Sequence, residues 1–329
     1  MQLSYAQNLE DYTLNLVFPD VASGTYVDVG GGHPVADNVT FYFYLKGWQG
    51  LVVEPQDDLA KLYANIRPRD YTVSTLAGRT DGEIDFHIVD GLHGLSSANR
   101  VNAESAAQYG AKFKTVKRPV RRLSRLIDDA GLTTVDVLKI DVEGAEADVL
   151  AGLDLARHKP RVVLVEAVNP HTSGDEWKVW EPVLTMAGYT FAFFDNLNRY
   201  YVAPGCKDLL ARFPKAPIPW ETTAHLWDCG RVAERADHPD RALFDLLVKG
   251  LCAELPKLDP KLLNHLIERG LQTEKVGTAP PLAPRLIGAA ELPRPPADAH
   301  SIEDLLDSDD VRAALGRIAC MYDGGHLME

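Results

Sequence analysis

The sequence predicts an α/β fold: a mostly parallel, seven-stranded sheet with a closing antiparallel hairpin, followed by a C-terminal helical region. Short β-rich runs alternate with helical stretches from Thr25 to about Pro204, which is typical of parallel sheets with right-handed crossovers. Near-continuous apolar runs such as RVVLVE, at residues 161–166, indicate strands that are buried on both faces.

Each element is predicted from its local pattern. The segment DGEIDFHIVD resembles a hairpin, and only NLNR separates the last two β-rich runs, which suggests a closing antiparallel pair. The predicted strands are residues 25–29, 50–54, 71–76, 135–140, 161–166, 190–195 and 200–203, and the predicted helices are residues 35–46, 56–66, 124–130, 145–153 and 176–187.

Three regions are predicted along the chain: a lead-in over residues 1–24, the α/β domain over residues 25–204, and a helical extension with Pro-rich linkers over residues 205–329. In the extension, several leucines fall on one helical face. They are Leu243, Leu246, Leu247 and Leu251. This face predicts a helical cap or an arm that forms a homo-oligomer; a substrate-binding lid is the alternative.

Composition excludes several classes of partner. The 329 residues are 46% hydrophobic, enough for a sizeable core, and carry a net charge of −13. That charge argues against nucleic acid and against docking on an anionic membrane. No apolar run approaches the ~18 residues of a membrane span, and the first residues carry no secretion signal. Four scattered cysteines lack metal-finger spacing, so we expect free thiols and a cytoplasmic protein.

A glycine turn follows the first predicted strand, in TYVDVGGGHP. Glycines at residues 30–32 allow close approach of the backbone to a ligand, and the following segment could bind an anionic group. A dinucleotide fingerprint would need a glycine where Val35 stands. Asp28 suits the ammonium of an amino-acid ligand, and Glu54, about 20 residues further on, suits two ribose hydroxyls. These acids favour S-adenosylmethionine (SAM) over NAD.

Several segments occur in the order seen in FkbM-family methyltransferases: YVDVGGGHP, LVVEP, VLKIDVEGAEADVLAGL, VVLVEAVNP and FDNLNRYYV. The chain resembles that family over residues 4–203, and KIDVEGAE is the most specific element. In the family's common turn, Ala-Asn stands where this chain has Gly31-Gly32. The resemblance implies a Rossmann-like class I methyltransferase fold and SAM-dependent methylation of hydroxyl oxygens, on sugars of glycans or on polyketides.

The resemblance also implies which residues hold the cofactor. Its methionine end would lie against the glycine turn, its ribose against an acid, and its adenine against the third strand, with Gln7 and Asn8 closing over it. The implied cofactor residues are Asp28, Gly30, Gly32, Asp37, Asn38, Glu54, Leu76 and Ala77.

Charged residues gather where the fourth strand of the parallel series ends, in VLKIDVEGAE. Lys139, Asp141 and Glu143 share one face because side chains alternate along a strand. A buried lysine is costly unless it is paired, and Glu166, on the adjacent strand, is the predicted partner. Glu146 lies in the first turn of the next helix, where an acid is favoured, so we assign it a structural role.

Asp141 and Glu166 lie at the carboxyl ends of parallel strands, where ligands bind in open α/β sheets. A sugar hydroxyl is a poor nucleophile and needs a base or a divalent ion. In one design, favoured slightly, Asp141, Glu166 and Asn169 bind Mg²⁺. In the other, Asp141 or a loop histidine, His171 or the His93 of GLHGLSSANR, is the general base.

The sequence therefore predicts a SAM-dependent O-methyltransferase acting on a sugar hydroxyl of a glycan or glycosylated precursor, with catalytic residues Asp141, Glu166 and His171. A secondary-metabolite hydroxyl is the alternative acceptor. Val35 and Asp28 disfavour an NAD-dependent oxidoreductase. A non-catalytic SAM-binding module would need neither Asp141 nor Glu166.

Overall fold

A computed structural model describes residues 2–89, 96–105, 111–168, 177–273 and 308–323. The chain forms two compact units. The larger comprises Tyr5–Thr222, and the smaller comprises Met1–Ser4 with Thr223–Glu329. The predicted functional division at residues 24 and 204 stays a prediction, because compactness alone does not define a functional domain.

Strands and helices are numbered in chain order. The strands are β1 (Leu3–Ser4), β2 (Thr25–Val29), β3 (Gln49–Val53), β4 (Tyr71–Val73), β5 (Leu76–Gly78), β6 (Gly82–Val89), β7 (Phe113–Arg122), β8 (Val137–Ile140), β9 (Val162–Glu166), β10 (Thr190–Phe194), β11 (Asn198–Val202) and β12 (Ala224–His225). The helices are α1 (Glu10–Val17), α2 (Phe41–Leu45), α3 (Asp57–Ile66), α4 (Arg100–Ser105), α5 (Leu123–Asp129), α6 (Glu146–Ala151), α7 (Leu155–His158), α8 (Trp177–Met186), α9 (Arg241–Glu254), α10 (Pro260–Thr273) and α11 (Asp309–Asp323).

The larger unit is built on a seven-stranded sheet in the order β4-β3-β2-β8-β9-β11-β10. β11 runs antiparallel to both of its neighbours, and the other adjacent pairs are parallel. This confirms the predicted mostly parallel sheet with its closing antiparallel hairpin. Strand order reverses between β2 and β8, and such a switch point opens a crevice outside the carboxyl ends of the strands.

Both faces of this sheet are covered. One face packs against α5, α6 and α8 through residues such as Leu126, Leu150 and Leu184. The other face packs against α1, α2 and α3, for example through Leu14 and Phe43. The apolar strands are therefore buried on both sides, and polar residues at their carboxyl ends need a separate reason to be there.

A three-stranded sheet in the order β5-β7-β6 lies in the same unit. Two expectations are corrected here. The segment predicted as a hairpin is a single strand, β6, because its antiparallel partner is the later strand β7. The strand predicted over residues 71–76 divides into β4, in the large sheet, and β5, which pairs with β7.

The helix predicted over residues 35–46 is also shorter than expected. Only Phe41–Leu45 is helical, because Asp37 has a left-handed φ of 49°. The Asn38 side chain accepts hydrogen bonds from the backbone amides of Thr40 and Phe41. A short polar side chain that bonds to nearby backbone competes with helix formation in this way.

In the smaller unit, β1 pairs in parallel with β12. Asp240, fully buried, accepts two hydrogen bonds from the guanidinium of Arg317 in α11, at 2.8 and 2.9 Å. Leu246, Leu247 and Leu251 of α9 are exposed, so the predicted apolar helical face exists, and its role in an oligomer stays a prediction. Among the described residues, no helix is long and apolar enough to cross a membrane.

Candidate functional site

The glycine turn lies at the switch point of the large sheet. The Gly30 and Gly31 amides both donate to the Val53 carbonyl, at 3.0 and 3.3 Å, so the turn folds back over the end of β3. Gly30 and Gly32 have φ angles of +78° and +58°, a region that glycine enters without the steric cost of a side chain. The turn therefore requires glycine at both positions.

The three glycines have different surroundings. A β-carbon on Gly30 would lie 1.7 Å from the Asp141 carbonyl oxygen, and one on Gly31 would lie 2.5 Å from Val52 Cγ1. A β-carbon on Gly32 would meet nothing within 4 Å. The first two glycines thus let the backbone pack closely, and the third borders open space that a ligand could enter.

Asp28, in the strand before the turn, is fully buried. Its Oδ2 accepts a 2.7 Å hydrogen bond from the Thr40 hydroxyl. Its Oδ1 accepts no hydrogen bond from the described residues. A buried carboxylate oxygen is costly to leave without a donor, so this atom is suited to an incoming hydrogen-bond donor.

Glu54, which follows β3, is buried beside the turn. Its carboxylate accepts hydrogen bonds from the Gly32 and Gln56 amides, both at 2.8 Å. Burial raises the pKa of Glu54 to about 7, although these amides and Lys139 oppose the shift. Each carboxylate oxygen can accept more than one hydrogen bond, so Glu54 keeps capacity for a ligand's hydroxyls.

Asn38 and Arg67 hold the turn from behind. Asn38 Nδ2 donates to the Gly31 carbonyl at 2.9 Å and to the Tyr63 hydroxyl at 2.8 Å. Its Oδ1 accepts a 2.9 Å hydrogen bond from Arg67. Asn38, predicted to reach the cofactor, is therefore buried and bonded to protein groups. Sequence reasoning missed Arg67 altogether, because nothing in RPRDY distinguishes it from a surface arginine.

The remaining predicted cofactor residues are more widely placed. Asp37 is half-buried at the left-handed position before Asn38. Leu76 is buried in the small sheet, against Phe86 and Val120, and Ala77 packs against the main core. Asn8 donates to the Asp195 carbonyl, and Gln7 is exposed. The structure thus groups Asp28, Gly30, Gly32 and Glu54, and the cofactor roles of all these residues stay predictions.

Three carboxylates meet at the neighbouring strand ends. One oxygen each of Asp141, Glu143 and Glu166 lies within 4.8 Å of the others. Burial raises the pKa of Glu166 well above its usual value, and the nearby charges of Asp141 and Glu143 raise it further. Burial and Asp141 likewise raise the pKa of Glu143. Carboxylates this close cannot all ionise without cost, unless a cation or a proton joins them.

We refer to Asp141, Glu143 and Glu166 as the acid cluster. Asp141 and Glu166 were predicted to act together, and the structure brings them together. Glu143 was not chosen as a site residue. The signal that could have identified Glu143 is its spacing of two residues from Asp141. That spacing does not show that the backbone of Glu143 is left-handed, with a φ of 56°.

Lys139 pairs differently from the expectation. Its Nζ donates to the Gly30 carbonyl at 2.5 Å and lies 3.3 Å from Asp141 Oδ2 and 3.5 Å from Asp28 Oδ1. The predicted partner, Glu166, is not the one observed, because Lys139 is in register with Leu164 of β9 and Glu166 lies two residues further on. Burial alone would lower the pKa of Lys139, but the carboxylates of Asp141 and Asp28 outweigh it and the pKa is raised.

Glu146 accepts hydrogen bonds from the Val142 and Gly144 amides, at 3.3 and 3.0 Å. These bonds agree with the structural role expected of an acid in the first turn of α6. Nearby, the Ser97 hydroxyl donates to the Glu143 carbonyl at 2.9 Å. The end of GLHGLSSANR therefore borders the acid cluster. Other predicted residues, His93, Asn169 and His171, lie outside the described residues.

A sheet in this strand order, with a glycine turn and acids at its switch point, is the arrangement of class I methyltransferases. The family model for the methyltransferase FkbM domain matches residues 28–193, about half of the chain. The chain therefore belongs to the FkbM methyltransferase family, as its motifs predicted.

Two known proteins are similar to parts of the chain. The AMB antimetabolite synthetase AmbE of Pseudomonas aeruginosa is 33% identical over 103 residues, which cover 28% of this chain and 5% of that protein. The chain thus spans only a small part of the curated relative that it matches. A crystal structure of methyltransferase FkbM from Methylobacillus flagellatus KT is 15% identical, with a TM-score of 0.35, over 55% of this chain and 44% of that one.

Proposed function

We propose that the protein is a SAM-dependent O-methyltransferase that methylates a hydroxyl, most readily that of a sugar in a glycan or glycosylated precursor. Methyltransferase activity follows from the family. The methyl donor, the acceptor oxygen and the sugar are our proposals, and they rest on the two neighbouring groups of polar residues at the switch point.

The residues of the glycine turn fit the proposed donor. Asp28 Oδ1 is buried without a hydrogen-bond donor among the described residues, and it would accept from the ammonium of SAM. Gly32 borders open space, and Glu54 would accept from ribose hydroxyls. When bound, SAM supplies a methyl group on a sulfonium, which an oxygen nucleophile can displace in line.

The charge of the site also favours SAM over NAD. Asp28, Glu54 and Asp141 lie at or next to the carboxyl ends of β2, β3 and β8, and Lys139 is the cation observed between Asp28 and Asp141. A sulfonium and an ammonium are attracted to these acids, whereas the pyrophosphate of NAD would be repelled by them. The electrostatics therefore support the donor that the turn predicts.

The acid cluster would prepare the acceptor. Its three carboxylates provide the oxygen ligands that Mg²⁺ prefers, and an ion held there would lower the pKa of a bound hydroxyl. Asn169 remains the predicted additional ligand. In the alternative design, a carboxylate of the cluster accepts the hydroxyl proton directly; burial and the neighbouring acids raise the pKa of Glu166, which makes its ionised form a stronger base.

A second acceptor class is supported by one finding. The matched relative is an antimetabolite synthetase, so a hydroxyl of a secondary metabolite is the second candidate. Both acceptors need the same chemistry, namely a hydroxyl positioned beside the acid cluster and within reach of the methyl donor.

Calorimetry with S-adenosylhomocysteine (SAH) and NAD tests the donor. We expect SAH to bind with a micromolar Kd, and Asp28→Asn to weaken it about tenfold or more, because a charged hydrogen bond to the ligand's ammonium is lost. Asp148→Asn is the matched control, since Asp148 is 61% exposed and pairs with Arg79 on the surface. Tighter binding of NAD than of SAH would refute the proposal.

The acceptor is tested by offering SAM with a radiolabelled methyl group together with nucleotide sugars, lipid-linked sugars, oligosaccharides and hydroxylated secondary metabolites. With the acceptor found, Glu166→Gln should lower kcat about 100-fold while SAH affinity stays within twofold. Excess EDTA should abolish turnover in the metal design. Full activity in EDTA would eliminate that design and leave the carboxylate base.

A further inference from the structure

Lys139 lies between the two halves of the proposed site. It is the third residue of β8, and Asp28 is its register partner on the neighbouring strand β2. Its side chain is 9% exposed, and that of Asp28 is 1% exposed. The sheet thus places the lysine stem between the two carboxylates, and small changes in its side-chain torsions move the ammonium from one partner toward the other.

Three protein oxygens lie close to the ammonium, one from a carbonyl and two from carboxylates. It donates to the Gly30 carbonyl of the turn at 2.5 Å. It lies 3.3 Å from Asp141 Oδ2 in the acid cluster and 3.5 Å from Asp28 Oδ1. Both carboxylate separations are those of ion pairs rather than of short hydrogen bonds.

The two carboxylates therefore compete for one cation. Asp28 Oδ1 is the oxygen that the cofactor's ammonium would need, and the Lys139 ammonium lies slightly nearer to Asp141 Oδ2, at 3.3 Å, than to this oxygen, at 3.5 Å. Lys139 and Asp28 are buried, so little water screens their interaction; the Asp141 side chain is 31% exposed and is partly screened, but at 3.3 Å it still attracts the ammonium. A change in the charge of Asp141 must therefore change how firmly Lys139 engages Asp28.

We propose that Lys139 is a positioning residue that couples the acid cluster to the donor site by sharing its ammonium between Asp141 and Asp28. This inference rests on the proposed function, because it takes Asp28 as the donor's anchor. When a substitution removes the charge of Asp141, Lys139 moves toward Asp28 and the affinity for the donor falls. By linkage, donor binding at Asp28 shifts Lys139 toward Asp141.

The experiment is a mutant cycle read by SAH calorimetry, which needs no acceptor. We expect Asp141→Asn to weaken SAH binding about fivefold or more, the lower end of typical coupling between sites. In a Lys139→Met background, where the apolar stem remains and the ammonium is gone, the same change should alter the Kd less than twofold. Lys139→Met alone should bind SAH at least as tightly as the parent, because Asp28 has lost its competitor.

Matched controls separate coupling from general loss of charge. Asp148→Asn breaks a surface pair with Arg79, and Lys117→Met breaks a surface pair in which Lys117 is 63% exposed. Neither should change the Kd for SAH. If Lys139 had only a structural role, the Lys139→Met variant would have a lower melting temperature and would bind SAH more weakly than the parent. Weaker SAH binding is opposite to the expected result.

A second cycle covers the case in which Lys139→Met does not fold. Asp141→Asn is then compared in the parent and in the Asp28→Asn background, both of which retain Lys139. If the effect of Asp141 passes through Asp28, its neutralisation adds less than twofold once Asp28 is neutral. Equal effects in both backgrounds, or no effect of Asp141→Asn on its own, would overturn the inference. Failure of the parent protein to bind SAH would instead overturn the proposed function.

Discussion

The two halves of the candidate site are held in opposite ways. At the glycine turn, Asn38 and Arg67 satisfy one another and the backbone, and Arg67 forms a buried ion pair with Asp70 at 2.8 Å. In the acid cluster, the carboxylates of Asp141, Glu143 and Glu166 lie close together, and burial together with their mutual repulsion raises the pKa values of Glu143 and Glu166. The turn has a partner for its buried cation, and the cluster has an excess of negative charge.

This difference shows what each half needs from a ligand. A turn fixed by its own hydrogen bonds is preorganised, so donor binding costs little ordering of the backbone. A cluster of partly compensated acids stores unfavourable energy that a cation or a proton relieves. Substitutions at the turn should therefore destabilise the protein, whereas neutralising Glu166, whose pKa is raised by burial and by the neighbouring acids, should stabilise it.

Removal of the Arg67 charge should give the largest effect. Arg67 is fully buried, donates to Asn38 and Thr40, and lies over the ring of Tyr63 at 4.8 Å. Arg67→Met leaves Asp70 with an uncompensated buried charge, which costs about 3–5 kcal/mol of unfolding free energy. Urea denaturation measures this cost.

Arg79→Met is the matched control, because Arg79 is 63% exposed in its pair with Asp148 and the loss should be below about 0.5 kcal/mol. Equal losses in the two variants would mean that the turn is not held by Arg67.

The second contrast lies within the turn, between Gly30 and Gly32. Gly30→Ala places a β-carbon 1.7 Å from the Asp141 carbonyl oxygen, so the backbone must shift, at a cost of about 3 kcal/mol or more. Gly32→Ala meets open space and costs only the strain of a left-handed residue, about 1–2 kcal/mol. The same denaturation series measures both variants.

Gly32→Ala should nevertheless weaken SAH binding, because the added methyl group enters the space assigned to the ligand. If Gly32→Ala binds SAH as well as the parent protein does, Gly32 does not line the donor site.

These contrasts show which features could be predicted from the sequence. Apolar runs such as the one in β9 identify buried parallel strands, and the glycine turn after β2 is recognisable because both follow from local patterns. The acids Asp141 and Glu166 could be placed together because parallel strands end at one edge of the sheet.

Contacts between distant segments were not predictable in the same way. Arg67 reaches Asn38 across 29 residues, and no local pattern marks an arginine for such burial. The prediction that Lys139 pairs with Glu166 was wrong because it depended on strand register. Lys139 lies opposite Leu164, and Glu166 is two residues further along β9. The helix over residues 35–46 was predicted too long because propensity cannot show that the Asn38 side chain bonds to nearby backbone.

Glu10 is a buried acid outside both halves of the site, and it has hydrogen-bond partners like the turn and a raised pKa like the acid cluster. Glu10, in α1, accepts hydrogen bonds from the Asn8 amide and from Asn198, and burial, together with the charge of Asp195, raises its pKa to about 8. The folded protein therefore binds a proton here more tightly than the unfolded chain does. The corresponding stability is present below about pH 4.5 and is lost as the pH rises toward 8.

We expect the parent protein to lose about 2–4 kcal/mol more than Glu10→Gln between pH 5 and pH 8.5, in denaturation measured across that range. Glu104→Gln is the control, since Glu104 is 50% exposed beside Arg100. Parallel pH profiles for the parent and Glu10→Gln would show that Glu10 is ionised throughout.

The smallest expected effect is the most informative about the comparison, because its sign is opposite to that of the others. Glu166→Gln removes one charge from the acid cluster and resembles the protonated form that its raised pKa favours. Because the folded-state pKa lies above the unfolded one, the parent protein loses stability as the pH rises above about 4.5 toward that raised pKa, and the variant does not. At pH 8 we expect Glu166→Gln to be more stable than the parent by about 0.5–1.5 kcal/mol, with Glu104→Gln again unchanged.

Saturating Mg²⁺ should reverse the order if the cluster binds the ion, since the parent then gains stability that the variant lacks. Destabilisation by Glu166→Gln in the absence of metal would mean that the cluster is as well compensated as the glycine turn, and the contrast between the two halves of the site would be wrong.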